Sequence, residues 1–402
     1  MHTIITEKMV FGGNCLAKID GKNVFVPYAV PGEKLEVEIV ESKKDYDNAK
    51  IVNILEKSPH RIEPACPYYE KCGGCNLMHI DFDYQVELRK TILHDLFERN
   101  GIKTPEIKIA KGSPLGYRAR FQLHDGSLEA KRSNEKVFIT NCPVAENSIN
   151  RYFESTDEKS RPRGRSHLFG SEKATPDFLI TIPEDKKPQI PQNKKLKHYI
   201  RPKYEGNVID PATLCTVSIL GKNISFDVQG FFQSNLEVLE KSIELVTKGL
   251  SGKNVLDMYS GVGTFSVFLA EHFEKVWLVE HNRAAIVFAE QNLSGTVHES
   301  YGISGAKWAK ENAPSILDKI GNFDAVVIDP PRSGMEKEVL DFICNSKPPF
   351  VRVVSCDPAT NARDIKRLLD AGYELKELYL LDFYPQTSHI ESLCYLELGE
   401  SV

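Results

Sequence analysis

The sequence predicts an α/β protein: a Rossmann-like domain with an open, mostly parallel sheet, preceded by a small OB-like β-barrel and a mixed central region built around a cysteine cluster. Three observations carry this. Residues 1–57 alternate short β-like runs with glycine turns, residues 58–230 open on Cys66, Cys72 and Cys75, and residues 231–402 repeat strand, glycine loop and helix. These spans are the expected domains.

A chain of 402 residues is longer than one hydrophobic core organises well, and 41% hydrophobic with 27% charged residues is the composition of a globular protein. No stretch approaches the ~20 apolar residues of a spanning helix, which excludes a membrane protein of that kind and places the chain in the cytoplasm. The net charge of -5 argues against a uniformly basic nucleic-acid binder, leaving local basic patches to steer a polyanion. Nine cysteines without a secretion signal point to a metal centre or a reactive thiol rather than to a disulfide framework.

In the barrel, strands are expected at Asn23–Val26, at Leu35–Val40 with Leu35, Val37 and Ile39 on one face, and at Ile51–Leu55. Lys43, Lys44 and Lys50 flank them, where they could touch phosphate or simply be solvated. Pro59, Pro64 and Pro67 mark a linker into the cysteine cluster. Tyr84 to Arg99 reads as an amphipathic helix with Val86, Leu93 and Leu96 among its apolar positions. Between Lys186 and Lys203 the chain is rich in Lys and Arg, lacks acids and includes Tyr199, which suits an RNA backbone or a solvated loop.

From Phe231 onward the expected elements are Asn254–Asp257, Thr264–Ala270, Val276–Glu280, Ala284–Asn292, Phe323–Asp329 and Val351–Ser355. Asp257 ends a strand, and Gly261 and Gly263 then let the backbone approach a ligand before a helix opens. Glu280 ends the next strand, where a carboxylate can accept from both hydroxyls of a ribose. A nucleoside-bearing cofactor follows. Ser266 stands where a dinucleotide fingerprint has its third glycine, so S-adenosylmethionine, which has no phosphate to cradle, fits better than NAD. Asp329-Pro330-Pro331-Arg332 lies at another strand end beside the same crevice, and Asp329 could hold the adenosine or the methionine amine. Base N-methyltransferases place an aromatic after such prolines; Arg332 occupies that position here and disfavours amine methylation.

Cys356 in Ser355-Cys356-Asp357-Pro358 follows a strand and precedes a helix that Asp357 can cap and Pro358 begin, running to Gly372. The partial positive charge of that helix end favours thiolate over thiol. Beside a methyl donor such a thiolate has a specific use, because uracil C5 is too weak a nucleophile unaided. Addition of Cys356 to C6 places negative charge on C5, and a base must later take the C5 proton. Glu391, in the loop Asp382 to Glu391 before a final apolar strand, is the candidate base, and His389 is its competitor.

Cys66, Cys72 and Cys75 around Gly73-Gly74 can share one metal centre, with Cys142 as a fourth thiolate. Zinc and a [4Fe-4S] cluster fit this ligand count equally. A fourth protein thiolate speaks against radical S-adenosylmethionine chemistry. Cys15, Cys215, Cys344 and Cys394 read as packing residues.

With these residues in place, the chain resembles the RNA uracil-C5 methyltransferases that carry an N-terminal TRAM domain and an iron-sulfur cluster. The likeness runs through Gly12-Gly13, Phe25-Val26-Pro27, Pro31-Gly32-Glu33, the cysteine cluster, Phe231-Phe232-Gln233-Ser234-Asn235, the glycine loop, Asp329-Pro330-Pro331-Arg332, Ser355-Cys356-Asp357-Pro358 and His389-Ile390-Glu391. The resemblance implies a Rossmann-like S-adenosylmethionine methyltransferase domain after a TRAM barrel. It implies Gln233, Tyr259, Glu280 and Asp329 as cofactor contacts, Cys356 as nucleophile and Glu391 as general base. Cys66, Cys72, Cys75 and Cys142 become [4Fe-4S] ligands, and the uridine is flipped out of the RNA. The implied partner is RNA: 23S rRNA is favoured, a tRNA T-loop uridine is the alternative, and the protein is expected to act as a monomer. Asn14-Cys15 departs from the more glycine-rich turn of relatives and is expected to bear on RNA contacts. An RNA cytosine-C5 methyltransferase would carry a cysteine where Arg332 stands, and a non-catalytic RNA-binding assembly factor would not need Cys356.

Overall fold

A computed structural model describes residues 1–131, 133–183 and 209–399. The basic segment from Lys186 to Lys203 with Tyr199 lies outside the described residues. Residues 2–56 form one six-stranded sheet in the order His2–Ile5, Lys34–Ser42, Tyr46–Glu56, Lys22–Val26, Cys15–Ile19, Lys8–Met9. Alternation holds on Lys34–Ser42, where Leu35 and Val37 are buried between more exposed glutamates. Register shifts between this strand and Tyr46–Glu56 bend the pair. His2–Ile5, Lys8–Met9 and Cys15–Ile19 were not expected as strands; each carries too few alternating apolar positions to register alone. Lys43 and Lys50 pair with Glu41 and Glu38, so two of the three candidate phosphate lysines face acids of their own sheet. Cys15 is fully buried and donates to the Ala29 carbonyl at 3.2 Å, so its thiol packs in the core of this sheet.

The proline linker is clamped onto this sheet by Arg61, which donates to both carboxylate oxygens of buried Glu33 at 2.5 and 2.8 Å. Helix Phe82–Arg99 starts two residues earlier than the periodicity indicated, because Asp81 accepts from the Tyr84 amide at 3.2 Å. Its apolar face, with Val86, Leu93 and Phe97, packs on helix Pro358–Asp370 and strand Tyr373–Leu381, and so joins the core of the N-terminal sheet to the core on one face of the large sheet, which includes Leu256, Met258 and Ile365. The other face, with Val255, Leu278 and Val327, packs against Phe226 and Phe232.

The large sheet has eight strands in the order His298–Tyr301, Phe273–Val279, Gly252–Met258, Ala325–Ile328, Phe350–Ser355, Glu391–Leu398, Tyr373–Leu381, Ile107–Ala110. All pairings are parallel except the two made by Glu391–Leu398. The mostly parallel expectation therefore holds. Ile107–Ala110 is a recruit from far up the chain; a four-residue strand far from its neighbours in sequence has no local pattern to announce it.

Candidate active site

A cavity of about 1030 Å³ opens at the carboxyl ends of the parallel strands, and Gln233, Tyr259, Glu280, Asp329, Cys356 and Glu391 all line it. The antiparallel strand Glu391–Leu398 explains how Glu391 gets there. Running against its neighbour, it begins where Phe350–Ser355 ends, with Ser392 opposite Ser355. Glu391 and Cys356 are each one residue from that pair, so register alone brings them to one rim of the cavity.

The glycine loop is shaped for close approach. Gly263 has φ +77°, and a Cβ there would lie 3.1 Å from the Ala289 side chain. Tyr259 adopts φ +64°, an uncommon conformation for a bulky residue, and is held in it by hydrogen bonds to the Val279 carbonyl at 2.8 Å and, through its hydroxyl, with the Glu336 amide at 3.1 Å. Its hydroxyl is thus occupied, and what remains for a ligand is the ring. Glu280 accepts from the amides of Gly261 at 3.0 Å and Asn282 at 2.6 Å, which fixes its carboxylate at the loop. Ser266 donates to Asp257 at 2.5 Å, giving that position a reason to be serine.

The cavity is electrostatically unusual. Burial first, then the charges of Asp257 and Glu280, push the Asp329 carboxyl up to about 7. Asp257 is likewise raised to about 7 by burial and by Glu280, against its bond from Ser266. Glu391 is held well above the ordinary carboxyl range by burial and by Asp329. Buried acceptors at Gln233 Oε1 and Asp257 Oδ1 have no hydrogen-bond partner among the described residues. Crowded desolvated carboxyls with unfilled acceptors suit a cationic ligand bearing donors and repel a pyrophosphate.

Cys356 does not behave as its helix start suggested. Helix Pro358–Asp370 is capped as expected, Asp357 accepting from Ala359 and Thr360 at 3.1 and 2.9 Å. Yet burial, Glu391 and Asp329 together push the thiol up to about 11, and only Arg332 and the backbone oppose them. Desolvation outweighs the helix end. His389, the competing base, is pushed down by burial and then by Arg332, Arg118 and Arg89, which weakens it as a proton acceptor, whereas burial strengthens Glu391. Tyr384 and Arg118 also line the cavity and were assigned no role from sequence. Arg118 stands in the alternating Arg118-Ala119-Arg120, and Tyr384 in the same loop as His389 and Glu391.

Cys66, Cys72, Cys75 and Cys142 line a second, smaller cavity of about 160 Å³ together with Tyr69, Met78 and Arg118. Burial raises all four thiols, Cys75 to about 12 and Cys142 to about 11, and Cys66, Cys75 and Cys142 each also feel the charge of at least one other of the four. Among the described residues, no group of three or more His, Cys, Asp or Glu is set to hold a metal ion. Cys15, Cys215 and Cys394 are buried, as their reading as packing residues requires; Cys344 is half-buried. No described helix is long and apolar enough to cross a membrane.

The chain matches the family described as tRNA (Uracil-5-)-methyltransferase over residues 307–398 and the TRAM domain over residues 3–52. It is 38% identical to an uncharacterized RNA methyltransferase of Treponema denticola, covering 96% of this chain and 97% of that one. It is 29% identical to the 23S rRNA (uracil(1939)-C(5))-methyltransferase RlmD of Vibrio parahaemolyticus, covering 98% of this chain and 96% of the relative. The crystal structure of the Pyrococcus abyssi tRNA (uracil-54, C5)-methyltransferase in complex with S-adenosyl-L-homocysteine shares the fold, with a TM-score of 0.71 at 22% identity over 98% of this chain and all of that one.

Proposed function

The chain belongs to the RNA uracil-5-methyltransferase family, with an N-terminal TRAM domain, and from that premise we propose that it methylates C5 of one uridine in 23S rRNA through a covalent adduct on Cys356. The observation that carries the mechanism is the meeting of Cys356 and Glu391 at one rim of a cavity whose floor is the glycine loop. The ribosomal substrate rests on the RlmD relatives, which match nearly the whole chain; a tRNA uridine, the substrate of the structural neighbour, is the second reading.

S-adenosylmethionine supplies, when bound, an electrophilic methyl group on a cationic sulfonium. Gln233, the ring of Tyr259, Glu280 and Asp329 would hold it, and the crowded carboxyls fit its positive charge. Cys356, as thiolate, attacks C6 of the uracil and forms the S–C6 bond, leaving the electron pair on C5 for methylation. Glu391 in its carboxylate form then takes the proton from C5, and the pair returns to re-form the C5–C6 double bond as the sulfur leaves. Burial makes Glu391 more proton-avid than a solvated carboxyl, which suits removal of a proton from carbon. Replacing Cys356 with Ala abolishes transfer, and Glu391→Gln lets an RNA adduct survive denaturing electrophoresis; normal turnover by the Cys356 variant sinks the mechanism.

The thiol cavity supports a [4Fe-4S] cluster on Cys66, Cys72, Cys75 and Cys142. A single zinc draws four sulfurs to about 2.3 Å from one point, whereas a multi-iron cluster needs them farther apart. All four thiols line one cavity, and that shared lining is what the cluster reading rests on.

A further inference from the structure

The residue after Cys75 makes an unusual set of contacts. Asn76 Oδ1 accepts from the Ser388 amide at 2.9 Å, and its Nδ2 donates to the Ser388 hydroxyl at 3.0 Å and to the Gly12 carbonyl at 3.4 Å. The backbone amides of Asn76 and Leu77 both donate to the Gln386 carbonyl, at 3.1 and 3.0 Å. Gln386 has φ +67° and Ser388 follows two residues later, so the bonds grip the bend that leads to His389 and Glu391. The fit is tight: a Cβ on Gly13 would lie 2.7 Å from Asn76 Nδ2 and 2.8 Å from Ser388 Cβ. From the other side, Gln85 donates to Gln386 Oε1 at 2.9 Å and accepts from the Gln386 amide at 3.1 Å.

We propose that Asn76 is a positioning residue for the reaction, transmitting the arrangement of the four-thiol site to the loop that carries Glu391. The proposal deepens the functional reading above and rests on it for the identity of the base. Physically, Cys75 and Asn76 are covalent neighbours, so any group that fixes the Cys75 sulfur limits where the Asn76 amide can sit. The Asn76 side chain then fixes the Ser388 backbone. Ser388 lies three residues before Glu391, and a displacement of about 1 Å at a reacting group can lower a rate about 100-fold.

The test uses the full chain, purified with its thiol-site group in place. Asn76→Ala should leave methyl-donor affinity and the KM for a uridine-containing rRNA fragment within about twofold while kcat falls about 10- to 100-fold. Asn76→Asp, which keeps the acceptor for the Ser388 amide, should recover most of the loss. Hydrogen exchange reads the coupling without catalysis. Asn76→Ala and Cys75→Ser should each speed exchange at the amides of residues 76, 77 and 388, and the double variant should exchange no faster than the single ones. Where Asn76→Ala does not fold, Ser388→Ala removes the hydroxyl bond but keeps the amide bond to Asn76, and should lower kcat by a smaller factor, below about tenfold, with KM unchanged; a rise in KM instead overturns the positioning role. Unchanged exchange in Cys75→Ser overturns the coupling. Loss of donor binding together with kcat, or no recovery by Asn76→Asp, overturns the positioning role. If the wild-type protein transfers no methyl to uracil, the functional reading fails while the exchange result still decides the coupling.

Discussion

Arg89 and Asp382, 293 positions apart in the chain, meet in a two-bond ion pair of 2.6 and 2.9 Å with the Arg side chain 1% and the Asp side chain 0% exposed. The pair ties helix Phe82–Arg99 to the first residue of the loop that ends in Glu391. It works beside Gln85 and Asn76, and Tyr117 adds a bond to the Pro385 carbonyl at 2.9 Å. The central region thus holds the loop that carries Glu391 on several sides.

Breaking this pair on one side should be expensive. Asp382→Ala strands a buried guanidinium and should lower unfolding stability by about 3–5 kcal/mol, whereas Arg89→Met with Asp382→Leu should recover much of the loss. Urea unfolding of the single and double variants measures this; equal losses in all three would refute it.

Alkylation of Cys356 should follow an unusually high pH profile. With its thiol pushed up to about 11, the donor-free enzyme should react with iodoacetamide about tenfold faster per pH unit from neutrality towards that value, with no plateau near 9. Arg332→Ala should move the profile higher still, since Arg332 is the charge that lowers it. Selective labelling followed by mass spectrometry of the Cys356 peptide reads the rate, and a plateau at or below 9 contradicts the burial argument.

Stability should fall as pH rises through the acid side of neutrality. Asp257 and Asp329 have folded values of about 7, above the unfolded carboxyl value, so the folded state holds protons that the unfolded state has released. Their favourable term is complete below the unfolded value and is lost as pH rises through about 7. Asp329→Asn should therefore stabilise the donor-free protein by a few kcal/mol, on the order of 2–4, at pH 8 and hardly at pH 4. Thermal unfolding at the two pH values checks the sign.

Gly13 and Gly12 offer a paired test of the close approach at Asn76. Both have positive φ, but a Cβ at Gly12 meets open space whereas one at Gly13 strikes Asn76 and Ser388. Gly12→Ala should cost about 1 kcal/mol from backbone strain alone, and Gly13→Ala about 1–3 kcal/mol more from overpacking. Equal effects would remove the packing explanation.

Anaerobic purification should give a brown protein with about four irons and four inorganic sulfides per chain, and Cys142→Ser should lower the visible absorbance and iron content. Stoichiometric zinc without iron would replace the cluster by a zinc site.

How much was legible varied with how local the signal was. Gly261, Gly263 and Glu280 are readable because a strand end, a glycine loop and the next strand end follow one another in sequence. The capped start at Asp357-Pro358 is readable for the same reason. The strand Ile107–Ala110 and the pairs Arg89–Asp382 and Asn76–Ser388 were not, since each joins segments whose own patterns are unremarkable.

The sequence by itself determined the chemistry available: a glycine loop between acidic strand ends, a cysteine before a capped helix, a glutamate before the last strand and a trio of clustered cysteines. Covalent neighbourhood suffices for those. Only the tertiary structure decided how these groups behave. The antiparallel last strand puts Glu391 beside Cys356, and burial, then the neighbouring carboxyls, raise the thiol that a helix end alone would have lowered. Desolvation and cross-strand register depend on what surrounds a residue in space, and no local pattern encodes them.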